Sequence, residues 1–269
     1  MSISKETTHL KTFTREFQVK PDFFLDELNQ AIDLTRLLSI ALETAGQHDQ
    51  LISKFLDEPL LKENESWVIT QSSVSMRRWP LLNEKLSVIT RVMEVNRFFV
   101  KRHFDIMVAD EVLLTVVSQY AIINLVTRKM ARVAVDRLVA VDAVDGSLTY
   151  TFDKLRVPED YHLASQTIRE IVASDIDYNQ HVNNEVYLRW AHEMLPASYL
   201  NHYRINKIDV KYGSELRFDE VAEVVAYLPD ESIINEGTGM ETVFETYQTI
   251  RNQTKQRDAC YVRMTWQTK

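Results

Sequence analysis

Residues Asp175-Ile176-Asp177-Tyr178-Asn179-Gln180-His181-Val182-Asn183-Asn184 gather carboxylates, amides, a phenol and an imidazole into one short run. Side chains of these types can accept a proton, orient a water or hold a carbonyl. Apolar residues then recur at helical spacing, with Tyr187, Trp190, Ala191 and Met194 at i, i+3, i+4 and i+7. Pro196 predicts the stop, since its ring cannot continue a helix. Asn183 or Asn184 is suited to cap the start, because a side-chain oxygen there accepts from the first free N–H groups. The polar run therefore stands at the mouth of a buried helix, where unpaired N–H groups favour developing negative charge. That is a setting for hydrolysing an ester or thioester. An ordinary turn followed by a cap accounts for the same residues, so the chemistry needs support from the rest of the chain.

The elements that would position this run repeat. Phe13, Arg15, Phe17 and Val19 alternate like a strand, which Lys20-Pro21-Asp22 breaks. A helix follows, with Leu34, Leu37, Leu38, Ala41 and Ala45 on one stripe and Gly46 placed as its C-terminal cap. The polar stretch to Ser66 reads as a short amphipathic helix plus loop. Strands are expected at Trp67–Thr70, Leu86–Val95, Phe98–Val108 and Glu111–Asn124, the last apolar on both faces. The second half opens with a strand over Thr167–Ala173, the polar run, and a helix over Glu185–Leu195. Strands then follow at Ile205–Tyr212, Val221–Tyr227, Thr242–Ile250 and Ala259–Trp266. One strand, one helix and a run of strands, occurring twice, predicts a duplicated α+β domain. The boundaries fall at 1–135 and 166–269, with 136–165 as a linker.

With 269 residues, 45% hydrophobic and 26% charged, the chain has an ordinary globular composition. Five Gly and six Pro argue against long flexible segments. A formal net charge of −8 disfavours a general nucleic-acid or anionic-membrane binder. The one cysteine, Cys260, permits no internal disulfide and fits a reducing compartment. It falls with Val262, Met264 and Trp266 on the apolar face of the last strand, as a buried small hydrophobe rather than a catalytic thiol. Neither an apolar signal core at the start nor a run of about 20 apolar residues is present, so a cytoplasmic protein without a membrane span is expected.

Asp177-Tyr178-Asn179-Gln180-His181-Val182-Asn183-Asn184, followed by an aromatic-rich helix, resembles the signature of the acyl-acyl carrier protein thioesterases. The likeness extends to Trp67-Val68-Ile69-Thr70, to Arg78-Trp79-Pro80 and to Lys207–Glu215, and covers the chain from about residue 12 to its end. The resemblance implies tandem hotdog domains, each a long helix wrapped by an antiparallel β-sheet, the first holding the acyl pocket and the second catalytic. By the same resemblance Asp177, Asn179, His181 and Glu215 form the catalytic set, with no cofactor or metal. The family's neighbouring cysteine corresponds to Leu216, which excludes acyl-enzyme chemistry there. The transit segment and hydrophobic anchor of plastid members are missing, which points to a bacterial-type cytosolic enzyme.

The implied reaction is hydrolysis of fatty acyl-acyl carrier protein, releasing the fatty acid and ending chain elongation. An acyl-CoA thioesterase is the nearest alternative, and a non-catalytic acyl-binding hotdog protein or a hotdog dehydratase stands further off. For the reaction, backbone N–H groups near Val182 and Asn183 are the expected oxyanion donors. Asp177 either fixes the loop or acts as base. The first half lacks an Asn-x-His, and its counterpart of Glu215 falls near Trp79, so the catalytic groups belong to the second half alone. The expected partner is an acyl carrier protein, acidic as a class; a homodimer stays open. Arg77-Arg78, Lys101-Arg102 and Arg128-Lys129-Arg132 are the candidate docking clusters.

Overall fold

The structure is a computed structural model that describes residues 10–26, 31–177, 180–230 and 242–269. The chain divides into two units, one of residues 1–68 and 78–151, the other of residues 69–77 and 152–269.

The first unit opens with β1 (Phe13–Gln18), a 3-10 turn (Pro21–Phe23) and the short pair β2 (Phe24–Asp26) and β3 (Ala31–Ile32). The helix α1 (Leu34–Leu56) follows, then β4 (Glu65–Met76), whose residues are shared between the units. The strands β5 (Lys85–Val95), β6 (Phe99–Val108) and β7 (Glu111–Asn124) come next, with β8 (Met130–Ala131) and α2 (Val135–Ala140) after them. Pairing runs β1-β5-β6-β7, antiparallel throughout, and β8 adds to β7.

The second unit repeats the succession. It has β9 (His162–Glu170), a 3-10 turn (Ala173–Asp175), α3 (Asn184–Glu193) and α4 (Ala197–His202). The strands β10 (Tyr203–Tyr212), β11 (Val221–Leu228), β12 (Val243–Asn252) and β13 (Arg257–Thr268) follow, paired β9-β11-β12-β13-β10. In each unit the strand before the helix pairs with the second strand after it, so the two share one topology. A helix laid on an antiparallel sheet, twice over, is the tandem hotdog arrangement. Period-two burial explains why the sheets form: on β6, Val100, Arg102, Phe104 and Ile106 are buried in alternation, and on β13 Cys260, Val262, Met264 and Trp266 are.

Two expectations about boundaries are corrected. Gly46 does not end a helix. The helix α1 is 23 residues long, capped by Asp33, whose carboxylate accepts from the Thr35 N–H at 2.9 Å. It ends at Asp57, in the left-handed region at φ 55°. The expected separate helix before Ser66 is thus its continuation. The reason is burial: the face of Leu37, Ile40, Ala41, Ala45 continues beyond the glycine through His48 and Ile52, which outweighs the ~1 kcal/mol that glycine costs inside a helix. Likewise β9 stops at Glu170 rather than Ala173, because the Asp175 N–H returns to the Val172 carbonyl at 2.9 Å and turns the chain. The 136–165 stretch holds most of α2 and the start of β9, and its Asp153 accepts from Arg263 of β13 at 2.6 Å.

One polar cluster is folded into the first unit. Arg102, 4% exposed, donates to His48 Nδ1 at 3.0 Å and also pairs with Asp49. The other imidazole nitrogen of His48 donates to the Leu10 carbonyl at 2.7 Å. Burial, and the guanidinium beside it, hold the imidazole down at about 4, so it stays neutral.

Gly46 lies within α1, and a Cβ there meets nothing within 4 Å. Gly46→Ala should therefore stabilise the protein by about 0.5–1 kcal/mol, through the lost freedom of the unfolded chain. A urea titration checks this: the midpoint should rise, and a fall would show that the glycine has another task.

Candidate functional site

The described residues of the polar run close on one another. Ile176 and Val182 face each other in an antiparallel bridge. The Asp177 N–H donates to the His181 carbonyl at 2.8 Å, and the Gln180 N–H to the Asp177 carbonyl at 3.1 Å. Gln180 takes up the reversal with φ at 65°, a region polar side chains enter more readily than branched ones. The carboxylate of Asp177 accepts from the His181 N–H at 3.3 Å. That contact acts on the loop backbone. Tyr178 and Asn179 lie outside the described residues.

The helix behind the loop begins as its sequence predicts. Asn183 caps α3, its side-chain oxygen accepting from the Glu185 N–H at 3.1 Å. Tyr187, Trp190 and Ala191 are buried on its inner face, while Met194 forms the C-cap. Asp175, 3% exposed, accepts from the Val172 N–H and from Arg189 on α3, pinning the start of the loop to the helix it precedes. Pro196 follows the end of α3, but it also opens the short helix α4.

Glu215 reaches this loop from the segment between β10 and β11. Its Oε2 lies 3.1 Å from His181 Nε2, with the imidazole 11% and the carboxylate side chain 37% exposed. The backbone sets that contact. The N–H of Val182, next after His181, donates to the carbonyl of Leu216, next after Glu215, at 2.8 Å. The Leu216 N–H donates in turn to the Tyr187 hydroxyl at 3.3 Å, and burial pushes that phenol up, so it remains protonated. Gly213 lets the segment approach β13: a Cβ there would stand 2.5 Å from the Asp258 carbonyl oxygen. The Gly213 and Ser214 N–H groups donate to the Ala259 and Asp258 carbonyls at 2.8 and 2.9 Å.

So the structure brings Asp177, His181 and Glu215 together. It corrects the expected oxyanion donors. The Val182 N–H is taken by Leu216, and the Asn183 N–H by the Asp175 carbonyl at 2.8 Å. Both are spent on holding the loop, which sequence could not show because their acceptors come from outside the helix. The Tyr187 hydroxyl was likewise illegible as a loop anchor: its helical spacing marks it as core and says nothing of its oxygen. Among the described residues no group of three His, Cys, Asp or Glu side chains converges as a metal site.

Leu216 is 0% exposed and carries no nucleophile, and Cys260 is 0% exposed on the core face of β13. Burial pushes the Cys260 thiol up, far from the thiolate form that reacts. A disulfide reagent should thus modify Cys260 roughly 10²-fold or more slowly in the native protein than after urea unfolding. Native modification at the unfolded rate would contradict its burial.

Both halves of the chain match known proteins. Residues 10–140 match the Acyl-ACP thioesterase N-terminal domain and residues 163–268 the Acyl-ACP thioesterase C-terminal domain. The chloroplastic oleoyl-acyl carrier protein thioesterase of Coriandrum sativum is 23% identical over 216 residues, 73% of this chain and 58% of that protein. A chloroplastic acyl-[acyl-carrier-protein] hydrolase of Cuphea viscosissima is 23% identical over 74% of this chain and 51% of its own length. The chain thus spans between half and three-fifths of these curated relatives. Among solved structures, an acyl-ACP thioesterase from Bacteroides thetaiotaomicron superposes with TM-score 0.73 at 22% identity, over 95% of this chain and 98% of that one. The 12:0-ACP thioesterase from Umbellularia californica superposes with TM-score 0.74 at 16% identity, over 100% and 98%. With both of its halves matched in order, the chain belongs to the acyl-ACP thioesterase family.

Proposed function

We propose that the chain hydrolyses the thioester of a fatty acyl group carried on acyl carrier protein, releasing the free fatty acid. The observation that carries this reading is the 3.1 Å contact of His181 with Glu215 at the mouth of α3. A thioester carbonyl is already electrophilic, so the protein's task is to hold and deprotonate a water. Glu215, the more exposed member of the pair, takes the proton as water oxygen adds to the carbonyl carbon. His181 bonds the carboxylate and fixes its orientation, while Asp177 holds the loop that carries the imidazole. The C–S bond then breaks and Glu215 returns its proton to the sulfur, which leaves as the thiol. At the helix mouth the negative charge of the oxyanion gains from the α3 dipole. With Leu216 and a buried Cys260, no thiol enters the reaction.

His181→Ala and Glu215→Gln should each lower kcat by roughly 10²-fold or more, as for loss of a general base or its orienting partner. Melting should move far less, since Glu215 is partly exposed. Wild-type turnover of acyl-carrier thioester by both variants would reject the assignment.

The carrier docks on the group Arg128, Lys129 and Arg132, in which Lys129 and Arg132 are exposed. In the other two candidate clusters Arg78 is held by Glu84 and Glu111, Arg102 is buried, and Lys101 pairs with Glu94 at 2.6 Å. Beside Lys129 and Arg132, Val126 is 74% and Met130 50% exposed, giving an acidic partner both charge and an apolar contact. The charge component is screened within about 10 Å at 0.1 M salt. The double variant Lys129→Glu/Arg132→Glu should therefore raise KM for acyl carrier protein several-fold and flatten its salt dependence, with acyl-CoA little affected. An equal response of both substrates would move the docking surface elsewhere.

A further inference from the structure

The segment carrying Glu215 has no regular secondary structure between β10 and β11, yet it must hold a carboxylate to hydrogen-bonding precision. Beyond Leu216, its anchor is a buried charge. Glu220, 6% exposed, accepts from the Arg217 N–H at 3.0 Å and from Asn252 Nδ2 at 2.7 Å, and it pairs with the Lys255 ammonium. Asn252, 0% exposed at the end of β12, uses both ends of its amide. Its oxygen accepts from the Lys255 N–H at 2.9 Å. Its nitrogen serves Glu220 and also reaches the carbonyl of Glu215 itself at 3.5 Å. Burial opposes ionisation of Glu220, but Lys255 and the N–H donors outweigh it and hold the carboxyl below its ordinary range. Taking a carboxylate out of water is costly, and closing a loop does not by itself require one. What the arrangement adds is direction: it joins the β12–β13 turn to Arg217 and to the backbone of Glu215.

We infer that Glu220, Asn252 and Lys255 are positioning residues for Glu215, setting where its carboxylate meets His181. This rests on the proposed hydrolysis for its kinetic consequence, but the geometric claim stands apart from it. None of the three touches the reacting atoms. They act through the Glu215 carbonyl and the Arg217 N–H, which bracket in sequence the Leu216 carbonyl held by Val182. A shift of about 1 Å at a reacting group can cost up to roughly 10²-fold in rate, and a loosened flank permits such a shift without altering the substrate's binding groups.

The test compares Asn252→Ala, Glu220→Gln and Lys255→Met with Lys255→Arg, which keeps a cation within reach of Glu220. Lys255 has a side chain 41% exposed, so its substitution spares the core and supplies a folded variant should either of the buried ones fail to fold. Two readouts are taken on the full chain. Kinetics with a long-chain acyl-carrier thioester should give kcat about tenfold lower, KM within a few-fold of wild type, and recovery in Lys255→Arg. Independently of any activity, the His181 imidazole resonances, followed by NMR with isotope-labelled histidine, should shift in the three disruptive variants and return in Lys255→Arg. Shifted resonances in a protein that hydrolyses no thioester would sustain the positioning role and reject the proposed function. Unshifted resonances with unchanged kcat, or a kcat loss that only tracks the folded fraction measured by melting, would overturn the positioning role.

Discussion

Between the Val182 N–H and the Leu216 carbonyl, 2.8 Å apart, two irregular segments become one object. Each of the two bonded residues follows directly after a member of the proposed catalytic pair, so this backbone hydrogen bond brings His181 and Glu215 face to face before either side chain chooses a rotamer. A buried N–H and carbonyl that lost each other would both be left desolvated, which makes the bond costly to open. The rest of the second unit serves it. The α3 helix presents the loop and, through Tyr187, a hydroxyl for the Leu216 N–H. The β13 strand offers carbonyls that Gly213 and Ser214 reach only because residue 213 has no Cβ.

The two units show how one topology diverges through its buried polar residues. In the first, Arg102 of the sheet meets His48 and Asp49 of α1, and the Leu10 carbonyl completes the hydrogen bonds of the imidazole. In the second, the titratable pair sits at the helix mouth with Glu215 partly exposed. A group that must exchange a proton with a substrate water has to keep a solvent-accessible face, and His48 has none, at 0% exposed. The helices differ accordingly: α1 is 23 residues long and α3 only 10. Family membership of both halves fits a duplication in which a single copy carries the polar loop.

Oxyanion stabilisation illustrates why a helix mouth is a weaker guide than it looks. A helix start has spare N–H groups by construction, but a loop precise enough for chemistry needs donors for its own closure. Here the first two N–H groups after His181 are used for that purpose, and the dipole remains available where the individual donors are not.

Much of this was legible in the residues. Apolar patterning placed β6, β7, β10, β11 and β13 to within a residue or two, β7 as a run apolar on both faces, because such a pattern is a property of neighbouring positions. The cap at Asn183 and the inner face of Tyr187, Trp190 and Ala191 are equally local, and so is the polar run itself. The reach of α1 past Gly46 was not legible, since its outcome depends on what the buried face of His48 and Ile52 packs against rather than on glycine's own preference. Nor were the cation clusters: Arg78 and Arg102 look like surface charges until partners distant in sequence, Glu111 and Asp49, close on them. The sequence by itself determined which groups could act and on which elements they ride, because side-chain chemistry and periodicity are written in adjacent letters. Only the tertiary structure decided that Glu215 meets His181 and that Val182 and Asn183 have no N–H to spare, because a hydrogen bond between remote segments exists only once the chain has folded them together.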